Sequence, residues 1–313
     1  MDSSAHNKIG KPPKWQPPST TTALHEDGGI YFRDQNNARF PTLPSEPAVR
    51  AILNQNPEFD LAEIGVFGCG NTIGSLLSFA RDEERTFRFG VELVHNSLFL
   101  VRKTNTVRET IEEVRGYGHT FPEAYTSWER DVQGSASYQR IIKYDFAGLK
   151  CFVRSESDGY LPEKANLPST IAPDKAPAPQ LNLSQFSTLG LRFQPLSDAS
   201  TLIINEAGQV VPQNAIFDLK TRGKKRNSIV SVDDFLHRLW VNQTPNFILA
   251  FHTYGKFEQH DIHIIDVKNK VKNWELQNAA VLSRLGSLLH KLIDVAKNNG
   301  QAKFEYVVLD RAP

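Results

Sequence analysis

The chain of 313 residues has little cysteine and almost no excess of charge. Two cysteines, Cys69 and Cys151, are too few for a disulfide framework and suit a reducing compartment. With 36 basic against 35 acidic residues the net charge is +1, which excludes a uniformly basic nucleic-acid coat and leaves only a local basic patch. Long apolar runs and an apolar signal-peptide core are also missing, so we expect a nuclear or cytoplasmic protein without a membrane segment.

The composition provides enough apolar material for one large folded unit. Apolar residues make up 40% of the sequence and aromatic residues 10%, which is ample for a buried core. Residues 1–24 are rich in proline and hydroxyl residues, which predicts a disordered tail. A single domain is expected over residues 25–313. Within it, residues 162–198 are rich in proline, alanine and serine without sustained periodicity, which predicts a flexible insertion.

Strand-like and helical patterns together predict an α+β fold, a mixed β-sheet core flanked by helices. Two strand-like runs in residues 87–103 are joined by turn-forming residues at 95–97, which predicts a β-hairpin. A helix is expected over residues 232–241, capped by Ser231, and a long amphipathic helix over residues 279–298. Further predicted elements are a helix over residues 108–117 and strands over residues 140–153, 201–211, 247–251, 262–267 and 304–309.

The most informative motif is Asp218-Leu219-Lys220, at the end of an apolar run. Because side chains alternate along a strand, Asp218 and Lys220 point to one side and Leu219 points into the core. The carboxylate can then hold a hard divalent cation while the ammonium meets a phosphate or a water, as in many metal-dependent nucleases. The tripeptide alone is a weak signal, because a second copy occurs at residues 266–268.

Further acids strengthen this signal. Glu156 and Asp158 form an acid-x-acid pair after a strand-like run, so both carboxylates face one side and repel unless a cation or an arginine lies between them. Glu123 adds an acid in a glycine- and aromatic-rich setting. Together with Asp218 and Lys220 they predict a two-cation site for phosphodiester or pyrophosphate cleavage. The alternative is that they are solvated strand ends paired with arginines.

A basic run follows directly and includes Arg222, Lys224 and Lys225. It can be a phosphate-binding edge, a nuclear-localisation patch or a solvated turn. Its position next to Asp218 favours phosphate binding, which would add salt-dependent affinity without sequence preference.

The order of these motifs resembles the DXO/Rai-one family of RNA 5′-end decapping and exoribonuclease proteins, a branch of the PD-(D/E)xK nuclease class. The resemblance rests on Gly-x-x-Phe-x-Glu ending at Glu123, then Glu-x-Asp at residues 156–158, then acid-x-Lys-Thr at residues 218–221. Residues 86–102 resemble the family's hairpin, and residues 235–251 resemble the helix and buried strand after its lysine. A PD-(D/E)xK nuclease-like fold is thereby implied.

The resemblance also implies an activity, a divalent-metal-dependent hydrolysis of RNA 5′ ends that releases pyrophosphate, an incomplete or NAD cap, or single nucleotides. Two Mg²⁺ or Mn²⁺ ions would be held by Glu123, Asp158, Asp218 and the Leu219 carbonyl. Glu156 and Lys220 would orient the nucleophile. The family's glutamine falls on Asn242 or Gln243, which would contact the substrate. RNA 5′ ends, and a 5′-3′ exoribonuclease, are the implied partners.

The sequence departs from the family pattern at several points. Asp218 stands where the family usually has glutamate, Glu123 follows its glycine one residue later than usual, and the stretch between Asp158 and Asp218 is longer. No counterpart of the family's arginine ahead of the hairpin is found near residues 71–74. These departures motivate an alternative, a degenerate relative that binds RNA ends or a partner exonuclease without turnover.

Overall fold

The computed structural model describes residues 10–40, 42–106, 108–112, 114–166, 202, 204, 207–224, 230–298 and 303–308. Its strands in chain order are β1 Lys14–Trp15, β2 Tyr31–Phe32, β3 Val66–Cys69, β4 Phe87–Val94, β5 Ser97–Arg102, β6 Thr110–Ile111, β7 Thr126–Ser127, β8 Gln139–Phe146, β9 Leu149–Glu156, β10 Gly159–Tyr160, β11 Ile216–Gly223, β12 Asn246–His252, β13 Ile262–Asp266 and β14 Lys303–Val308.

The helices lie between and beside these strands. In chain order they are α1 Gln35–Arg39, α2 Glu46–Gln55, α3 Gly70–Ala80, α4 Thr120–Tyr125, α5 Pro162–Ala165, α6 Leu236–Val241, α7 Lys268–Gln277 and α8 Ala279–Asn298. Among the described residues, no helix combines the length and the apolar character that crossing a bilayer requires.

Two six-stranded sheets form the frame. The first sheet has the order β13-β12-β11-β10-β1-β7 and the second sheet the order β14-β4-β5-β3-β9-β8. Both are mixed: β11 pairs with β12 in parallel and with β10 in antiparallel orientation, while β3 lies parallel to both β5 and β9. A separate two-stranded ribbon joins β2 to β6.

Helices fill the space between the two sheets. The largest apolar cluster joins α3, α6 and α8 to the inner faces of both sheets, with Leu285, Leu239 and Phe247 fully buried. The outer face of the first sheet packs on α4 through Phe121 and Phe217. On the outer face of the second sheet, α2 contributes to a smaller cluster. The mixed α+β architecture is the expected one.

Several sequence-based predictions are confirmed. The hairpin β4–β5 pairs Val94 with Ser97 around its turn, and β8–β9 turn at Ala147 and Gly148, both with positive φ. Ser231 caps the helical segment at 232–241 with a capping box. Helix α8 and strands β12, β13 and β14 also lie where they were expected.

Other predictions are wrong. Residues 10–24 were expected in a disordered tail, but Lys14–Trp15 form a strand of the first sheet because the Trp15 ring packs into its outer core. The helix expected over residues 108–117 is replaced by strand β6, which pairs with β2. Part of the expected insertion, Pro162–Ala165, is helix α5.

Some predicted segments cannot be compared in full. Residues 167–198 of the expected insertion lie outside the described residues, and so does much of the strand pair expected over 201–211. Within that pair, Val210 and Val211 are described and are not in a strand.

Candidate functional site

A cavity of about 570 Å³ opens where the chain crosses from the second sheet to the first. Strand β9 ends at Glu156 in the second sheet, and β10 begins at Gly159 in the first. Asp158 lies in this crossover, and Asp218 and Leu219 come from β11. We call this space the carboxylate cavity, because Glu156, Asp158 and Asp218 all line it.

Asp158 and Asp218 meet at one backbone amide. The Leu219 N–H donates to Asp158 Oδ2 at 2.6 Å and to Asp218 Oδ1 at 2.8 Å. Asp218 is 8% exposed, so these carboxylate oxygens converge in a setting with little water. Leu219 itself belongs to the outer core of the first sheet, which is the alternation expected along this strand.

Burial and proximity alter the protonation of these acids. Desolvation, and then the negative charge of Asp218, raise the pKa of Asp158 well above its ordinary value of 3.8. The pKa of Glu156 is also raised, first by desolvation, while nearby His119 acts in the opposite direction. Glu156 is an exposed residue that lines the cavity. A cation between these carboxylates would reverse such shifts.

Arg238 is the cation that meets this pair in the structure. Its Nη2 donates to Asp218 Oδ1 at 2.7 Å. Nε of the same side chain is buried without a hydrogen-bond partner among the described residues. Arg238 therefore forms its ion pair with Asp218, and its charge also acts to lower the pKa of Asp158 without offsetting the desolvation and the charge of Asp218 that raise it.

The donor set fits a single hard divalent cation. Within the described parts of the chain, no three His, Cys, Asp or Glu side chains come close enough to surround an ion. Mg²⁺ and Mn²⁺ sites, however, often use only one or two protein carboxylates and complete their shell with water and phosphate oxygens. Asp158 and Asp218 supply such a pair, with Glu156 nearby. The second ion implied by the sequence stays a prediction.

Lys220 lies on the same side of β11 as Asp218. Desolvation lowers its pKa, and the charges of Arg222 and Arg238 act in the same direction, while Asp218 and Asp158 oppose them. The lysine thus responds electrostatically to the carboxylate pair, but it is not among the residues that line the carboxylate cavity, and its catalytic role stays a prediction.

Glu123 does not line the carboxylate cavity. In helix α4, Phe121 and Tyr125 take the buried face, so Glu123 between them faces solvent. The residue of this segment that does line the cavity is His119. The charge of Glu123 acts on Tyr31, which lines the cavity, and the role of Glu123 as a metal ligand stays a prediction.

His119 is held in place by a buried acid. Its Nδ1 lies 3.1 Å from Asp27 Oδ2, and the Tyr31 ring stacks on it with 3.6 Å between ring centroids. The Asp27 side chain is 2% exposed. Burial would raise the pKa of Asp27, but hydrogen bonds from Thr120 and His119 outweigh it and lower the pKa. The carboxylate is therefore ionised, which leaves Nε2 of His119 to interact within the cavity.

Five arginines line the carboxylate cavity, and they come from five separate segments: Arg33, Arg85, Arg102, Arg154 and Arg238. Arg85 directly precedes the β4–β5 hairpin and is a candidate for the arginine that was not found near residues 71–74. The N-terminus of α3 also lines the cavity through Cys69 and Gly70, and its first turn has no side-chain cap. Cationic side chains and free helix N–H groups together favour a phosphate ligand.

Three other predicted substrate-binding residues, Asn242, Gln243 and Lys224, have different surroundings. Asn242 lines the carboxylate cavity, whereas Gln243 turns away and accepts a hydrogen bond from Gln213 at its carbonyl. Lys224 pairs with Asp261 at 2.6 Å. Six residues of strand separate Lys224 from Asp218, about 20 Å, so the basic run leads away from the acids.

Two further predicted substrate contacts lie in this basic run. The guanidinium of Arg222 lies 5.7 Å from the Phe235 ring centroid and does not line the carboxylate cavity. Lys225 lies outside the described residues.

Comparison with known proteins places this geometry in context. The family model described as a domain of unknown function (DUF8563) matches residues 3–311. No curated protein matches the chain. Several solved structures do, including S. pombe Rai1, with 11% identity, a TM-score of 0.58 and coverage of 99% of this chain and 92% of that one.

Two related structures contain ligands. Scheffersomyces stipitis Rai1 in complex with (3′-NADP)⁺ and calcium has 11% identity and a TM-score of 0.56, over 96% of this chain and 80% of that one. Candida albicans Rai1 in complex with pU5-Mn²⁺ has 10% identity and a TM-score of 0.54, over 98% and 87%. At such identities the likeness establishes the fold. The chain belongs to the DUF8563 family of unknown function, and it has the fold of the Rai1 structures.

Proposed function

We propose that this protein is a divalent-cation-dependent hydrolase that acts on RNA 5′ ends. The observation that carries the proposal is the meeting of Asp158 and Asp218 at one backbone amide, at the wall of a cavity with five arginines. Two carboxylates so close together are energetically costly unless a cation binds between them. Clustered arginines are well suited to bind phosphate groups. The related structures that hold 3′-NADP with calcium, or pU5 with Mn²⁺, support the same class of ligand.

The chemistry divides among the cavity residues. Asp158 and Asp218 would hold a Mg²⁺ or Mn²⁺ ion, which when bound supplies Lewis acidity and a water of lowered pKa. Arg85 and Arg238 would bind the phosphate oxygens and neutralise the charge that develops on them. Free N–H groups at the start of α3 would add to this binding.

Proton transfer falls to the groups around the pair. Glu156 has a raised pKa and would take a proton from the attacking water, while Lys220 donates a hydrogen bond to a phosphate oxygen. His119, fixed by Asp27, would supply a proton to the leaving oxygen. A general base for the attacking water and a general acid for the leaving oxygen are what such a hydrolysis uses.

A second function is favoured by Arg238. Its ion pair with Asp218 occupies one oxygen of the Asp158–Asp218 pair. A chain in which the arginine keeps that place would bind RNA ends through the remaining cationic groups without cleaving them. Release of the 5′ group therefore separates the two functions, because both predict binding.

A cleavage assay with Mn²⁺ tests the proposal. RNAs that carry a 5′-triphosphate, a 5′-monophosphate, an unmethylated guanosine cap or an NAD cap are incubated with the native chain. Asp158→Asn keeps the shape and the hydrogen bond from Leu219 but removes a cation ligand, so we expect at least roughly a 100-fold loss of rate. The matched control is Asp294→Asn, an exposed acid on α8, which should retain full rate.

The outcomes separate the alternatives. Cleavage of one of these RNAs that is lost in Asp158→Asn and kept in Asp294→Asn supports the hydrolase. Cleavage that survives Asp158→Asn rejects this active site. If the folded native protein binds the RNAs but leaves every 5′ end intact, the end-binding function replaces hydrolysis.

A further inference from the structure

A second cavity, of about 330 Å³, adjoins the carboxylate cavity. Gln35, Asn36, Gln139 and Arg154 line both spaces. Gln139 lies opposite Glu156 in the β8–β9 register, and its side chain hydrogen-bonds to that acid. A ligand whose phosphate lies among the arginines can therefore extend past Gln139 into the second cavity.

The lining of this second cavity differs in chemistry from that of its neighbour. Three aromatic residues, Phe40, Trp128 and Tyr138, contribute to it, and we therefore call it the aromatic cavity. Its charged residues are all basic, namely Lys11, Arg39 and Arg154; Lys11 is buried in an ion pair with Glu129, which leaves Arg39 and Arg154 as the cations for a ligand. No acid is found among its described lining residues, whereas four acids line the carboxylate cavity. Aromatic faces with flanking cations are what proteins use to bind unpaired nucleobases and their phosphates.

Trp128 is the central feature of the aromatic cavity. Trp15, Trp240 and Trp274 each pack against another aromatic ring. Half-buried Trp128, by contrast, has no ring contact or hydrogen bond with any residue in the described ranges. Its ring face and its indole N–H are thus available to a ligand.

Arg154 adds an unmet donor at the junction of the cavities. Its Nη1 donates to the Pro44 carbonyl at 3.2 Å, but its buried Nε has no partner among the described residues. Buried donors of this kind are normally satisfied. A ligand that passes between the two cavities would bring a phosphate or sugar oxygen close to this group.

We propose that the aromatic cavity binds the nucleobase of the second nucleotide of a single-stranded, 5′-phosphorylated RNA. This inference rests on the proposed function, which places the first phosphate in the carboxylate cavity. A volume of 330 Å³ lies in the range of small-ligand pockets, and a base can enter it only when it is unstacked and unpaired. The binding unit is then a dinucleotide, and a mononucleotide fills only part of it.

Calorimetric titration in EDTA tests this proposal without catalysis. The ligands are the 5′-phosphorylated mononucleotide pA, the dinucleotide pApA and a dinucleotide whose second nucleotide lacks its base. All are titrated into the native chain. We expect pApA to bind about tenfold more tightly than pA, because a stacked base adds affinity on this order. The ligand without its second base has the same phosphates as pApA and should lose most of the gain.

Two variants of Trp128 test whether its ring provides the gain in affinity for pApA. Trp128→Ala should bring the affinity for pApA close to that for pA without changing pA binding, and Trp128→Phe should restore part of the gain. Tyr254→Ala is the matched control, since this aromatic side chain is 92% exposed and lines neither cavity. Circular dichroism spectra of each variant verify that it is folded.

Each result decides the matter. A base-dependent gain that Trp128→Ala removes supports the inference. Equal affinity for pApA and the ligand without its second base would mean that the gain comes from charge, which overturns the inference. A gain that remains in Trp128→Ala would mean that the second base binds outside the aromatic cavity, which also overturns it. Absence of binding for all three ligands overturns RNA-end binding itself, and the inference with it.

Discussion

At the scale of single residues, the Leu219 amide brings Asp158 and Asp218 together. The chain gains no stability from two neighbouring acids of like charge that share one donor. Arg238 forms its ion pair with Asp218, and its charge offsets only part of the rise in the pKa of Asp158. Such an arrangement is costly in the absence of a ligand, and this cost is what a bound cation would relieve.

Stability should therefore depend on pH through Asp158. Its raised pKa means that the folded chain binds this proton more tightly than the unfolded chain does. The associated stability is present below the ordinary value of 3.8 and is lost as the pH rises through the raised pKa. In EDTA we expect Asp158→Asn to melt above the native protein at pH 8, by roughly 2–4 °C per kcal/mol of repulsion removed.

Calorimetric melting at pH 5 and pH 8 measures this difference. The difference in melting temperature should be smaller at pH 5, where a larger fraction of the native Asp158 is protonated. At pH 8, Mn²⁺ should raise the melting temperature of the native chain only. A lower melting temperature for Asp158→Asn at pH 8 would show that the pair is not under electrostatic stress.

At the scale of elements, the sequence predicted the helices and strands that are determined by a local residue pattern. The β4–β5 hairpin, the Ser231-capped helix and α8 each have a periodicity or capping signal within their own residues. By contrast, β1, β7 and β10 are two-residue strands, too short for any period and defined only by their sheet partners.

The same limit applies to the site. Asp158, Asp218 and Lys220 could be predicted from alternation along a strand, and Asn242 from the resemblance. Asp27 and the arginines could not, because they come from separate segments that meet only in the folded chain. His119 lay inside a motif already recognised, but its role depends on which face of α4 is buried.

Gly70 shows how closely two elements approach at this site. A Cβ atom on Gly70, the first residue of α3, would fall within contact distance of Asn242 Oδ1 after α6. Gly70→Ala should therefore displace the Asn242 side chain and destabilise the fold by about 1–3 kcal/mol. In the double variant with Asn242→Ala most of that loss should be recovered.

Urea unfolding of the two single variants and the double variant gives the coupling energy between these positions. The control pair is Gly74→Ala with Asn242→Ala, because a Cβ on Gly74 meets nothing within 4 Å. Additive losses for Gly70 and Asn242 would mean that the two elements do not constrain each other.

At the scale of the whole molecule, an amino-terminal segment completes the first sheet. β1 lies between β10 and β7, and Lys11 forms an ion pair with Glu129. Composition predicted a disordered tail here, since proline and hydroxyl residues surround a single tryptophan. That one aromatic residue explains the difference, because its ring fills a space between α4 and β11.

The last prediction concerns this tryptophan. Trp15 is 8% exposed, and its ring centroid lies 5.7 Å from that of Phe217 and 5.8 Å from that of Tyr125. Trp15→Ala should cost about 3–5 kcal/mol by opening a cavity behind the strand that carries Asp218, whereas Trp15→Phe should cost less. Trp128→Ala, the same change at a half-buried ring without an aromatic partner among the described residues, is the matched control and should cost clearly less in urea unfolding. A loss at Trp15 of less than about 1 kcal/mol would mean that the ring of β1 contributes little to the core behind the strand that carries Asp218.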